Sequence, residues 1–411
     1  VHFFARRQRQ MCIRDSMKRL SIQNLSLASQ RVLLRVDFNV PLKSSGIIVD
    51  DTRIRQALTS IDYIVSQKGK VILLSHLGRP KGVHAPNLSL APCTKRLAEM
   101  IKKPVTLAPD CIGKEVNQLI QKMRPQEIIL LENLRFHIEE ENPPNRDFAS
   151  HLAELGDCYV NDAFASSHRN HSSIVILPTF FPGKAAAGFL MEREIAALSP
   201  LSKAPKRPFH IILGGSKVGT KMNILHSLLD KIDSIYLGGS IAFTFLKAQG
   251  YGIGNSPYDE ESIPEACELL ELCAKKMIRL YLPEDILASN NSHSEAEIFP
   301  STSIEDGWIG MDIGPTTCAS WSAALGLAST IFWNGPLGVW EMPKFAQGTH
   351  DLAKAILKSR ATVIIGGGDL TAALNHFRLD QKFSYISTGG AAALEFLQNG
   401  HLPGLDALST I

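Results

Sequence analysis

Short, nearly continuous apolar runs rich in β-branched residues recur along the chain, separated by longer stretches in which apolar residues return every three or four positions. The runs include Arg31–Val36, Val71–Leu74, Glu127–Leu131, Cys158–Val160, His210–Leu213, Ser234–Leu237, Thr330–Trp333, Thr362–Ile365 and Ser384–Ile386. Runs without polar alternation predict strands buried on both faces. Between them, the helical period predicts helices over Thr52–Gln67, Thr94–Lys102, Lys221–Lys231 and His350–Lys358. Strands alternating with helices give βαβ units, and hence parallel sheets covered on both sides. Ligands of such sheets bind beyond the carboxyl ends of the strands. Polar residues follow the runs at that end: Asp37, His76, Arg135, Asn161, Lys217, Asn334, Asp369 and Thr388.

The pattern changes near the middle. Leu190–Leu198 reads as a helix bearing Glu192, Arg193 and Glu194, and Ser199–Pro208, with three prolines and no core pattern, reads as a linker. One α/β domain on each side suits 411 residues. A composition of 45% hydrophobic and 20% charged residues is that of an ordinary globular protein.

The formal charge of +3 resides entirely in residues 1–16, where Arg6, Arg7, Arg9 and Arg14 outnumber Asp15. The remainder is formally neutral, which removes the basis for a nucleic-acid or membrane-surface reading. Residues 1–16 share no period with the residues beyond them, and Arg6–Ser16 resembles translated sequencing adaptor. Met17 is therefore the expected start, with a short basic targeting arm as the alternative. The seven cysteines show no C-x-x-C pair and no zinc spacing, as free thiols in a reducing compartment would. No apolar run approaches the roughly 20 residues that span a bilayer, and a cytosolic location is expected.

Donors crowd the strand ends of the first half, in Arg35–Leu42 (RVDFNVPL), Asp51–Arg55, Ser75–Pro80 (SHLGRP), Leu131–His137 (LENLRFH) and Tyr159–His171 (YVNDAFASSHRNH). Arginine's planar fork makes two parallel charge-assisted bonds to phosphate or carboxylate, so several arginines at one end of a sheet point to a polyanion. Asp37 and Asn39 can bond a hydroxyl. The bland readings stand beside these. A lone arginine after a strand is usually a surface ion pair, Arg35 can simply pair with Asp37, and Arg55 suits a solvated helix face. His168 and His171 have metal-ligand spacing without a third ligand nearby, which favours capping or an anion contact.

The second half is rich in glycine after its strands. Gly214–Lys221 (GGSKVGTK) nearly matches a phosphate-binding P-loop, but its last two residues are reversed, so that reading fails. A glycine turn opening a helix still offers N–H groups and a positive dipole end to an anion. Gly238-Gly239, Gly310–Pro315, Trp333–Glu341 (WNGPLGVWE), Gly366–Asp369 (GGGD) and Ser387–Gly390 (STGG) repeat the theme, and Gly250–Gly254 lacks dinucleotide-fold spacing. For any one segment a tight strand-to-helix turn explains the glycines as well.

In their order along the chain, RVDFNVPL, SHLGRP, LLENLRFH, YVNDAF and SHRNH, then GGSKV, WNGPLGVWE, GGGD and STGG, closely resemble the signatures of phosphoglycerate kinases. The resemblance runs from Met17 to the C-terminal segment. It implies two Rossmann-like three-layer αβα domains with parallel sheets, joined by a hinge helix. Residues 17–188 would bind 3-phosphoglycerate, with 403–411 packing back on them, and 189–402 would bind nucleotide. It implies a substrate site of Asp37, Phe38, Asn39, Arg53, His76, Leu77, Gly78, Arg79, Arg135 and Arg169. His76, Arg79, Arg135 and Arg169 would hold the non-transferred phosphate, and Arg53 would reach the reacting group. It implies a nucleotide site of Gly215, Lys217, Lys221, Gly238, Gly310, Asn334, Pro336, Glu341, Gly367, Gly368, Asp369 and Leu370. Asp369 would take Mg²⁺, and Arg53, Lys217, Lys221, Gly367 and Gly390 would act in catalysis.

The partners implied are 3-phosphoglycerate, 1,3-bisphosphoglycerate, ADP and ATP, with a monomeric protein and no nucleic acid or membrane. A carboxylate acceptor is already ionised at neutral pH, which agrees with the lack of a catalytic base. The expected mechanism is in-line transfer after hinge closure, with Leu190–Leu198 and Ser387–Gly390 as hinge elements. Three positions depart from the family pattern: Leu370 for a hydroxyl residue, Ala391 for a third glycine and Ala165 for glycine. They keep open a relative that binds nucleotide without catalysis. A nicotinamide dehydrogenase would need the missing glycine fingerprint.

Overall fold

The computed structural model describes residues 19–290 and 295–411, so the expected foreign leader and the start at Met17 lie outside the described residues. Two units emerge. One is built from residues up to Ile195 together with His401–Ile411, the other from Ala196–Gly400.

The first unit holds β1 (Arg31–Arg35), β2 (Lys70–Leu74), β3 (Thr106–Leu107), β4 (Ile128–Leu130), β5 (Cys158–Asn161) and β6 (Ala185–Ala187) in one parallel sheet of order β3–β4–β2–β1–β5–β6. Val32–Leu34 and Val71–Leu74 have no exposed surface, as strands covered on both faces require. The Thr52–Ser66 helix lays Ile54, Ile61 and Ile64 on this sheet. Arg35 is in register with Leu74 on one side and Asn161 on the other, so the loops beginning at Val36, Ser75 and Asp162 leave the same edge side by side. The C-terminal segment closes this unit: Arg19 bridges Thr410, and Gly404 N–H donates to Ser167 O at 2.8 Å.

In the second unit the strands are β7 (Phe209–Leu213), β8 (Ser234–Leu237), β9 (Gly252–Ile253), β10 (Arg279–Tyr281), β11 (Asp285–Asn290), β12 (Ala296–Pro300), β13 (Ser303–Ile304), β14 (Trp308–Ile313), β15 (Thr330–Asn334), β16 (Thr362–Gly366) and β17 (Tyr385–Ile386). Six form a parallel sheet of order β10–β8–β7–β15–β16–β17. Unlike the all-parallel expectation, β12–β11–β14 make an antiparallel sheet, and β9 pairs with β13. Their sequences, DILASN, AEIFP and WIGMDI, break the apolar run with polar, glycine and proline positions and so lack the continuous signal of the main strands, although Ile286, Ala288 and Phe299 pack with Phe243 and Leu246.

The expected linker needs correction. Phe189–Lys203 is one helix containing Pro200, and the division between the units falls within it. Leu198 and Leu201, at most 1% exposed, carry its buried face across the proline. No helix among the described residues is long and apolar enough to cross a membrane.

Candidate functional site

In the first unit, the loops leaving the carboxyl ends of β1, β2 and β5 gather a cluster of basic side chains. Arg35 is fully buried, so its charge must be met from within the protein. It donates to Val36 O, to Ser173 Oγ at 3.0 Å and toward His76 Nδ1 at 3.2 Å. Ser173 is in turn held by Glu140, whose carboxylate accepts from its N–H and its hydroxyl at 2.9 and 2.6 Å. The expected Arg35–Asp37 pair is therefore replaced: Asp37 bonds Arg53, and also accepts from Asn39 N–H at 3.0 Å. Burial disfavours ionised Asp37, but the facing His76, the Arg53 guanidinium, the Asn39 N–H and Arg35 outweigh it and hold the carboxyl well below its usual range.

A second set of contacts adjoins this cluster. Asn39 Oδ1 accepts from Gly78 N–H at 2.9 Å, and Arg135 donates to Gly78 O at 2.7 Å, which fixes the SHLGRP turn between them. Arg135 Nε also lies 2.8 Å from Glu141. Burial pushes Arg135 down to about 10, opposed by Glu141 and reinforced by Arg35 and Arg169, so it stays charged at neutral pH. Burial, with Arg135, Arg35 and Arg169 adding to it, pushes His171 down to about 3. His76 is depressed chiefly by burial too. Both rings are neutral and can offer N–H donors. Arg79 is exposed and Arg169 half-buried, and neither has an acidic partner among the described residues.

Two of the expected substrate-site residues are placed with their side chains inward. The side chains of Phe38 and Leu77 are buried in the hydrophobic core, so they can reach a ligand only through their backbone. Phe38 N–H is already committed to Ser75 Oγ. Arg55, as the solvated reading had it, is exposed and paired with Asp51. Ser75, Ser173, Glu140 and Glu141 were not anticipated. The Glu pair lies just beyond Leu131–His137, which was the available signal.

In the second unit, β7 and β15 are in register from Phe209 with Thr330 to Leu213 with Asn334, and their loops abut beyond the sheet. The approach admits no side chain. A Cβ on Gly335, whose φ is +88°, would lie 2.3 Å from Gly214 O and 2.9 Å from Lys221 Nζ. Lys221 sits on the first turns of the Val218–Leu228 helix, 5% exposed, and no ion pair to it occurs among the described residues. Burial pushes it down to about 8, with Asp369 opposing and Lys217 adding. Lys217 is exposed at the N-cap of the same helix.

Beside these loops lies a cavity of about 220 Å³ lined by Gly215, Gly310, Pro336, Glu341 and Asp369, with Phe243, Ile286 and Trp340 as apolar walls. Gly310 presses on Phe243, where a Cβ would come within 2.1 Å of the ring. Gly238 packs on Leu337 and is not part of the lining; Gly239 is. Asn334 is buried, its amide 3.1 Å from where a Cβ of Gly367 would lie. Gly368 and Asp369 open the Gly368–His376 helix, and Asp369 is exposed. Asp312 was not foreseen. It accepts from Gly348 and Ile313 N–H at 2.7 and 2.9 Å, and burial pushes it up to about 7.

The departures also have places. Leu370 points into the core with Trp333 and Ile365. Thr371 donates its hydroxyl to Gly367 O at 2.9 Å, so it does not supply a free hydroxyl in its stead. The positive φ in STGG belongs to Gly390, at +54°, and Ala391 begins the following helix, so the expected strain at Ala391 is absent. Ala165 lies in a 3-10 turn without positive φ.

A cluster of basic side chains on one α/β unit and glycine-walled strand ends with a buried lysine on another are the parts of a phosphotransferase. The family model "Phosphoglycerate kinase" matches residues 22–400. The chain is 44% identical to the phosphoglycerate kinase of Moorella thermoacetica over 96% of its own length and all of that protein, and 46% identical to that of Chlorobium limicola with the same coverage. The structure of phosphoglycerate kinase from Coxiella burnetii superposes with a TM-score of 0.84 at 40% identity, covering 95% of this chain and 98% of that one. That from Pyrococcus horikoshii gives 0.83 at 29% identity with the same coverage. The chain belongs to the phosphoglycerate kinase family, and its function is that of a kinase of glycolysis.

Proposed function

We propose that the chain transfers a phosphoryl group reversibly between the acyl phosphate of 1,3-bisphosphoglycerate and the terminal phosphate of ADP, giving 3-phosphoglycerate and ATP. The observation that carries this reading is Lys221: a nearly buried ammonium group, unpaired by any carboxylate among the described residues, held against two glycine loops. Such a group calls for an anion. In the reverse direction a carboxylate oxygen attacks the terminal phosphorus, the bond to the bridging oxygen of ATP breaks, and ADP leaves with that electron pair. No proton has to move.

The first unit would position the acid. Asp37 and Asn39 bond its hydroxyl, His76, Arg79, Arg135 and Arg169 hold its resident phosphate, and Arg53, oriented by Asp37, faces the reacting carboxyl. In the second unit Lys217 and Lys221 meet the nucleotide phosphates, Asn334 and Glu341 contact phosphate and ribose, and Gly367 and Gly390 supply backbone donors. Asp369 suits Mg²⁺: an exposed carboxylate on a helix N-terminus, free of any ion pair among the described residues, is the single protein ligand this ion keeps beside phosphates. The bound ion would neutralise phosphate charge.

In-line transfer with acid and nucleotide on separate units requires closure, for which the Phe189–Lys203 helix is the proposed hinge. A monomer in the cytoplasm completes the reading; the six free cysteines among the described residues agree with a reducing compartment. The test is ATP-dependent phosphorylation of 3-phosphoglycerate, coupled to NADH oxidation, with and without Mg²⁺. Turnover that survives Arg53→Ala unchanged would contradict the assignment of Arg53, and no turnover from a folded, Mg-ADP-binding chain would leave only a nucleotide-binding relative.

A further inference from the structure

Cys111 and His137 are too far apart in sequence to read as a ligand pair, but the first unit brings them together. Asp110 and Cys111 follow β3, and His137 ends the turn after β4. Asp110 Oδ1 lies 2.7 Å from His137 Nε2 and accepts from the Cys111 N–H at 2.6 Å. The ligand atoms of the three side chains all lie within 4.8 Å of one another, and among the described residues no other group of three such side chains converges in this way.

We propose that Asp110, Cys111 and His137 form a binding site for a zinc-type divalent cation. The donor set selects the ion. A thiolate beside an imidazole and a carboxylate suits Zn²⁺, whereas Mg²⁺ and Ca²⁺ take oxygen ligands alone. Three protein ligands leave one position of a tetrahedron open to water. Bonds of about 2.0–2.3 Å place tetrahedral donors roughly 3.3–3.8 Å apart, inside the 4.8 Å within which the three donor atoms already lie.

Access and support are both present. Cys111 is buried beneath, while the Asp110 and His137 side chains are 46% and 24% exposed, so an ion can enter from solvent. The His137 ring stacks on Phe148 at 5.3 Å, which fixes its plane. The site differs in place and in donor chemistry from the Asp369 position proposed for magnesium.

The test uses the full chain, stripped of metal and free of nucleotide, titrated with Co²⁺ as a spectroscopic stand-in for Zn²⁺. The expected result is a near-ultraviolet thiolate-to-cobalt charge-transfer band that saturates at a single ion per chain and is displaced by Zn²⁺. The band persists in Cys267→Ser, which alters an exposed thiol, and disappears in Cys111→Ser. Circular dichroism checks that Cys111→Ser folds. His137→Gln, at a partly exposed position, is expected to weaken Co²⁺ binding at least tenfold and keeps the test decisive if the serine variant does not fold. No band in the wild type, its loss in Cys267→Ser, or its survival in Cys111→Ser or at full affinity in His137→Gln overturns the proposal and leaves an ion pair beside a buried thiol.

Discussion

Replacing Lys221 by methionine should make the empty protein more stable and the enzyme nearly inactive. The ammonium group is 5% exposed, has no paired carboxylate among the described residues, and titrates at about 8 instead of 10.5. At about 1.4 kcal/mol per pH unit, that displacement amounts to roughly 3 kcal/mol held against the folded state. The sign comes from proton counting. The folded protein gives up this proton near pH 8 and the unfolded chain near 10.5. The penalty is therefore complete below pH 8 and vanishes as pH rises toward 10.5. Methionine keeps the unbranched stem and removes the charge. Urea or thermal unfolding of the nucleotide-free chain at pH 7 should show Lys221→Met more stable by up to about 3 kcal/mol, with the gap shrinking at alkaline pH. The coupled kinase assay should show kcat lower by about 10²–10³, the usual loss for one charged donor to a transferring group. A variant less stable than wild type at pH 7, a gap that ignores pH, or a kcat within tenfold of wild type would refute this account of Lys221.

Three further outcomes are expected. In the wild type, kcat/KM for ATP should decline above pH 8, since the free enzyme loses the Lys221 charge there; Lys221→Arg, permanently charged, should lack that decline, and a flat wild-type profile would count against it. Gly335→Ala, which drives a Cβ to 2.3 Å from Gly214 O, should lower kcat/KM by about 10²-fold or more while sparing 3-phosphoglycerate binding by the other unit, measured calorimetrically. Leu370→Thr should not tighten ADP binding, because this side chain faces the core; it should destabilise the protein by about 2–3 kcal/mol in thermal unfolding, and tighter ADP binding would show that the hydroxyl reaches the phosphates after all.

The parallel sheets were legible because their strands are buried on both faces, so Ser234–Leu237 could be read to its ends from apolar residues alone. The helix over Thr52–Ser66 was read from its first residue, whereas Lys221–Lys231 was placed three residues late against Val218–Leu228, whose first turn carries Gly219 and Thr220 beside the loop. The antiparallel β11, β12 and β14 escaped notice because polar and glycine positions such as Ser289, Glu297, Gly310 and Asp312 interrupt their apolar residues. Among site residues, the motifs pointed to Arg53, Arg135, Lys221 and Asp369. They could not show that Phe38, Leu77 and Leu370 turn inward, since a motif records position and not side-chain direction. Asp312 and Ser173 went unread because their work is done on backbone and side-chain partners remote in sequence.

The return of His401–Ile411 to the first unit bears on how the protein is made. A ribosome delivers Arg31–Ile195 well before Gly404, Ser409 and Thr410, so the sheet around β5 and β6 waits for its last partners through synthesis of the entire second unit. Leu20 N–H meets Ser409 O at 2.8 Å, and Ser409 N–H meets Ala185 O at 2.9 Å. Ala196–Gly400, by contrast, is contiguous and can collapse as soon as it emerges. The first unit is therefore completed only when the whole chain has been made, and a released chain ending at Gly400 should be cleaved more readily around β5 and β6 than the full-length protein, while its second unit keeps its resistance to protease.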